Sequence, residues 1–196
     1  MHKLSLELEE LLGTANPDGL KVGELLDTMS GRGFGFLLVA LSLPAALPVP
    51  AVGYSGPFAL LIVGLAIQII AGRSSPSLPQ RVRSKSVSAK MVTFIQKRGI
   101  PFFRRVERLS KPRLEKLSET RLFGFIVGMV IFVLALVMLI PFPGTNTIFA
   151  LAILLTGFGL ANNDGLFILG GGILGLTAAA VVIALLIAGR LALYDF

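Results

Sequence analysis

Three long stretches of the chain, residues 33–72, 122–163 and 165–189, contain no charged residue. Apolar side chains fill them on every side, leaving no polar face of the kind a helix in water requires. An uncharged apolar run of about 18 residues or more reads as a membrane-crossing helix. The third stretch could form a helix of about 37 Å. The pattern predicts an all-α, polytopic integral membrane protein with the lipid bilayer as its solvent.

Prolines divide the first two stretches. The first is interrupted by Pro44, Pro48 and Pro50, with Pro57 soon after, and the second by Pro141-Phe142-Pro143. Proline removes a backbone donor and clashes with the preceding turn. Pro48 and Pro50, and likewise Pro141 and Pro143, are therefore helix breaks. Each half of the first stretch holds about 15–17 residues, or about 22–25 Å of helix, short against a hydrocarbon core of about 30 Å. Two readings stand: a tight pair of thin crossing helices, or a re-entrant hairpin whose tip stops inside the membrane. Residues 166–189 predict one last membrane helix. Its Gly170-Gly171-Gly172 and Gly175 allow close approach of a neighbouring backbone, and glycine-rich faces of this kind admit a homodimer. Arg190 and Tyr194 suit an interfacial end.

The remaining segments are amphipathic. Residues 3–13 place Leu4, Leu8, Leu11 and Leu12 on one helical face, and a turn at Asn16-Pro17-Asp18-Gly19 leads to a second face of Val22, Leu25, Leu26 and Met29. Both are too charged to span, so they lie on the membrane surface or pack under the bundle. Residues 74–79 read as a loop and 86–98 as a helix. After Gly99-Ile100-Pro101, Phe102, Phe103, Val106 and Leu109 alternate with Arg104, Arg105 and Arg108. The chain thus divides into amphipathic N-terminal helices (1–30), a first membrane unit (31–72), a basic loop with interfacial helices (73–121), a second membrane unit (122–164) and a last membrane helix with its tail (165–196).

Charge adds orientation. The formal net charge is +7, and residues 73–121 hold fourteen Lys or Arg against three acids. A basic loop between membrane segments stays on the cytoplasmic side. The loop therefore faces anionic lipid headgroups, which explain its charge better than nucleic acid does. By this rule both proline-broken pairs return to the cytoplasm, and the last helix puts Arg190 outside. The opening residues are acidic and do not read as a cleavable signal.

Candidate chemistry is sparse. There is no cysteine, and the single histidine is His2. No His, Asp and Glu set has metal-ligand spacing, no carboxylate pair lies in a membrane segment, and Ser55 has no base. The expectation is a protein that is not an enzyme and uses no metal or cofactor.

The two proline-broken units resemble each other. Arg32-Gly33-Phe34-Gly35-Phe36 stands against Arg121-Leu122-Phe123-Gly124-Phe125, Leu47-Pro48-Val49-Pro50 against Ile140-Pro141-Phe142-Pro143, and Phe58-Ala59-Leu60 against Phe149-Ala150-Leu151. The alignment needs a gap of four residues before the prolines and of two after them. Paired broken helices in two halves of a membrane protein point to a site where unwound backbone meets an ion or solute. Ser55, Thr145, Asn146 and Thr147 are the polar groups at the breaks. Asp164, in the Asn162-Asn163-Asp164-Gly165 turn, is either a further site residue or a helix cap. Arg32 and Arg121 are either ligands or interfacial anchors. The expected function is a small transporter or channel-like protein. The alternative is a non-catalytic assembly subunit.

Four motifs together resemble the ExoD family of bacterial exopolysaccharide-synthesis membrane proteins, over about residues 20–190. They are Gly31-Arg32-Gly33-Phe34-Gly35 leading to Leu47-Pro48-Val49-Pro50; Arg104-Arg105-Val106-Glu107-Arg108-Leu109-Ser110-Lys111-Pro112-Arg113; Pro141-Phe142-Pro143-Gly144-Thr145-Asn146; and Leu160-Ala161-Asn162-Asn163-Asp164-Gly165. The last turn departs from the family's Glu-Arg-Asp-Gly pattern at Asn162 and Asn163. The resemblance implies a multi-pass protein of the bacterial inner membrane linked to exopolysaccharide synthesis or export.

Overall fold

The computed structural model describes residues 21–29, 31–46, 55–86, 100–107, 120–140 and 145–194, with positions 6, 9, 10, 12, 92, 93, 96 and 97. All regular structure among them is helical apart from one isolated bridge between Lys21 and Ser86. The helices are α1 (Val22–Thr28), α2 (Gly33–Ala46), α3 (Ser55–Ile70), α4 (Gln80–Arg83), α5 (Ile100–Glu107), α6 (Arg121–Met138), α7 (Thr145–Asn162) and α8 (Gly165–Tyr194). Pro48, Pro50, Pro141 and Pro143 lie outside the described residues. Among the described residues, α2 runs as far as Ala46, and α6 ends at Met138 with Leu139 as its cap. Pro44 is different. The reading of it as part of the break is corrected, because α2 runs through it to Ala46. Only one intrahelical donor is lost there, and the next residues still close the turn.

Two helices, Arg121–Met138 and Gly165–Ala188, are long and apolar enough to cross a membrane. Gly33–Ala46, Gly56–Ile70 and Asn146–Asn162 are shorter and also apolar. Their outward faces remain oily: Leu61, Ile67, Leu122, Ile126, Ile173 and Leu185 are each more than half exposed. Continuous apolar surface on this scale marks contact with lipid or with another protein.

The bundle is assembled crosswise. Helix α2 lies against α7, and α3 lies against α6, while α8 folds back along α7. Small residues set the α2–α7 spacing. A Cβ on Gly157 would come within 2.7 Å of the Leu38 Cβ, and one on Gly35 within 2.8 Å of the Ala161 Cα. The pairing of 35 with 161 and of 38 with 157 makes the two helices antiparallel. Gly128 does the same for α6, where a Cβ would lie 3.0 Å from the Ile70 backbone nitrogen. On α8, Gly171 faces Thr156 and Ala152 of α7, and Gly175 faces Leu134 of α6, while Gly170 faces open space. Half of the glycine pattern of 170–175 is therefore spent inside the chain. Ala45, Ala59, Ile131, Leu134, Met138 and Phe149 belong to a core shared by α2, α3, α6, α7 and α8.

Buried hydroxyls are satisfied in this core because they bond backward along their own helices. Ser42 Oγ donates to the Leu38 carbonyl (2.7 Å) and Thr156 Oγ1 to the Ala152 carbonyl (2.9 Å).

The N-terminal segment packs under the bundle. Leu12, Leu26 and Met29 are buried with Phe36 and Val39 of α2, Leu154 and Phe158 of α7, and Val92 and Ile100 from the basic stretch. Burying each such side chain is worth about 1.5–3 kcal/mol. Charges reinforce the layer. Arg104 pairs with Glu9, Arg83 pairs with Asp27 at 2.6 Å, and the Gln96 side chain donates to the Leu12 carbonyl at 3.2 Å. The acidic N-terminal residues thus sit on the basic ones.

Candidate functional site

The seven candidate residues fall into two sets at opposite ends of the bundle. Ser55 and Thr145 open α3 and α7, with Asn146 and Thr147 in the first turn of α7. Arg32 precedes α2, Arg121 opens α6, and Asp164 joins α7 to α8. The sets are separated by the length of the helices between them, about 21 Å along the 14 residues of α2 and about 27 Å along the 18 of α6. No one pocket can contain both.

At the break end the chemistry is neutral. The side-chain oxygen Oδ1 of Asn146 is buried, and Thr147 is half-buried. The side chains of Ser55 and Thr145 lie outside the described residues. The antiparallel packing puts the start of α3 beside the end of α6, and the start of α7 beside the end of α2. Hydroxyl and amide groups at two helix N-termini can orient a polar solute through hydrogen bonds, and they carry no formal charge with which to bind an ion strongly.

At the opposite end, Asp164 is a cap. Asn163 takes a left-handed backbone (φ 52°), and the Asp164 N–H donates to the Gly159 carbonyl at 2.9 Å, closing α7. The Asp164 Oδ1 then accepts from the Leu166 N–H at 3.0 Å, opening α8. The residue is 1% exposed. A carboxylate at a helix N-terminus is also favoured by the helix dipole. Position 163 needs only a residue tolerant of the left-handed region, which explains why an asparagine serves there.

Arg32 is half-buried. Its N–H donates to the Met29 carbonyl (2.7 Å), so its backbone holds α1 to the start of α2. Arg121 is exposed at the first position of α6, after Thr120, whose Oγ1 accepts from the Phe123 N–H at 3.4 Å. A cation at a helix N-terminus opposes the dipole, so Arg121 does not serve to stabilise α6. It reaches toward Gly72, on which a Cβ would sit 4.0 Å from the Arg121 Nε.

Beside Arg121 lies a group that the linear reading passed over. Gly72 (φ 73°) ends α3, its N–H donating to the Ile69 carbonyl (2.9 Å) and that of Arg73 to the Gln68 carbonyl (3.1 Å). This paired closure satisfies the last carbonyls of the helix. The Gln68 Oε1 accepts from the Ser77 N–H at 2.6 Å and so straps loop 72–77 to the helix. Pro76 is buried against Gly33, where a Cβ would lie 2.9 Å from the proline Cδ. Gln68, the single side-chain amide in the otherwise apolar α3, was the available signal.

Among the described residues no group of three His, Cys, Asp or Glu is placed to hold a metal ion.

Comparison with known proteins gives the chain its relatives. The family described as "Exopolysaccharide synthesis, ExoD" matches residues 4–184. An uncharacterized protein of Synechocystis sp. (strain ATCC 27184 / PCC 6803 / Kazusa) is 40% identical over 167 residues, covering 85% of this chain and 79% of the relative. Protein ExoD of Rhizobium meliloti (strain 1021) is 28% identical over 171 residues, covering 86% of this chain and 71% of the relative. No solved structure matches.

Proposed function

The chain belongs to the ExoD family, and from that premise we propose that it is a multi-pass protein of the bacterial inner membrane, built from two related helical hairpins, that moves a small polar solute or ion in support of exopolysaccharide synthesis. The observation that carries this reading is the crosswise packing. If hairpin α2–α3 is the counterpart of hairpin α6–α7, exchanging the two converts the α2–α7 contact into the α6–α3 contact. These are the main contacts between the hairpins.

Related hairpins that end in broken helices are the arrangement in which membrane transporters form a binding site from helix N-termini and unwound backbone. Here that locus is the start of α3 and of α7. The basic stretch 73–121 faces the cytoplasm in this reading, and so does the N-terminal layer packed on it. The role is non-enzymatic.

The test is solute flux in proteoliposomes of the full chain, with Asn146→Ala and Ser55→Ala as variants. Under this reading, wild type shows flux, and Asn146→Ala loses it while keeping the wild-type unfolding midpoint. Wild-type vesicles no leakier than empty ones to monovalent cations and small sugars would count against transport. Stable co-purification with other membrane proteins would then favour an assembly subunit, a role for which the folded layer of Glu9–Arg104 and Asp27–Arg83 pairs offers a docking face.

A further inference from the structure

We infer that loop 72–77, with Arg83, is a binding site for the phosphate group of an anionic membrane lipid. This rests on the membrane reading above and is independent of transport. Gly72, Arg73, Ser74, Ser75, Pro76, Ser77 and Arg83 line an open cavity of 390 Å³. The residues that line it carry two guanidinium groups and three hydroxyls. Arginine is suited to phosphate because its planar fork can donate two parallel hydrogen bonds, and serine hydroxyls supply further donors.

The loop is held ready rather than loose. Gly72 turns it, the Gln68–Ser77 bond ties its far end to α3, and Pro76 is seated against Gly33. Arg83 is placed by α1: a Cβ on Gly23 would lie 3.2 Å from the Arg83 carbonyl oxygen, and Asp27 bonds the guanidinium at 2.6 Å. The ion pairs seen among the described residues engage Arg83 and Arg104, leaving the exposed Arg73 available. Arg121 adds a third cation at the Gly72 rim, in the position where it does not help its own helix. The last carbonyls of α3 would repel an anion, but those of Gln68 and Ile69 are already bonded to Arg73 and Gly72.

Lipid, rather than free phosphate, is favoured by what adjoins the loop. Ile67 on the last turn of α3 and Leu122 on the first turn of α6 are exposed and apolar. The polar cavity therefore lies where the oily surface ends, at the level a headgroup occupies while its acyl chains run along the bundle. Among the described residues the acid in contact with the site is Asp27, through Arg83, and it competes with the phosphate for that guanidinium.

The experiment titrates the full chain in non-ionic detergent with phosphatidylglycerol, phosphatidylcholine or inorganic phosphate. Binding is followed by native mass spectrometry and by the thermal midpoint. Phosphatidylglycerol is expected to bind and raise the midpoint, and the other two to do neither. Arg73→Gln, an exposed and freely tolerated change, weakens lipid binding by about tenfold, the loss of one charge-assisted bond. Asp27→Asn tightens it, while Arg190→Gln, at the far end of α8, leaves it unchanged. The inference is overturned if Arg73→Gln binds as wild type, if Arg190→Gln is as damaging, or if inorganic phosphate binds equally well. A chain that is monodisperse without detergent would instead remove the membrane reading itself.

Discussion

At the residue scale, the glycines and the turn residues do different work. Gly157 and Gly35 set a backbone-to-backbone approach of α2 and α7. Gly157→Val places two methyl groups where Leu38 already stands, and is expected to destabilise the protein by about 1–3 kcal/mol. Gly170→Ala, which meets open space inside α8, should stabilise the protein by about 0.5–1 kcal/mol. Thermal unfolding in one detergent compares the pair, and equal midpoints would contradict the packing. Asp164→Ala removes the α8 cap at a cost of about 1 kcal/mol, while Asp164→Asn keeps most of it. If Asp164→Asn abolished cellular function at unchanged stability, the carboxylate would have a role beyond capping. The Asn-Asn-Asp-Gly turn was legible from local chemistry, because capping depends on neighbours in sequence. The cavity around Arg73 and Arg83 was not, because it needs Gln68 to meet Ser77 and Asp27 to meet Arg83 across 56 positions.

At the element scale, the long charge-free apolar runs located the helices. The charge-free runs hold α2, α3, α6, α7 and α8, while the four prolines read as breaks lie outside the described residues. Pro44 was misjudged because a single proline near a helix end forfeits one bond, which the packed face of α2 outweighs. The amphipathic N-terminal residues left open whether they lie on lipid or under the bundle. Leu26 and Met29 answer this by burial against Phe36 and Phe158, a contact that periodicity cannot encode. One strap can be tested directly. Gln68→Leu removes the acceptor for the Ser77 N–H and should loosen loop 72–77. In this cysteine-free chain, a single Ser75→Cys reporter should then react faster with a maleimide than it does with Gln68 intact. An unchanged rate would show that Pro76 alone holds the loop.

For the whole molecule, the crosswise contacts join elements that the sequence alone could only align. Motif similarity pairs α2 with α6 and α3 with α7. It does not say that the spatial neighbours are α2 with α7 and α3 with α6. Orientation gives a further prediction. With the basic stretch inside, a cysteine at Arg105 should be labelled by an impermeant maleimide only after the cells are opened, and one at Arg190 while they are intact. Labelling of both from outside would invert the assignment of the basic stretch.

Helix α8 has one more implication. It runs for 30 residues, about 45 Å, and from Ile183 to Ala188 every side chain is exposed. An oily core of about 30 Å is too thin to hide such a rod standing upright. With those six side chains uncovered among the described residues, the membrane would set its lean: a thinner bilayer would tip it over and a thicker one would straighten it. The distal portion would then respond to changes in lipid thickness while the glycine-locked portion near Gly171 and Gly175 stays put.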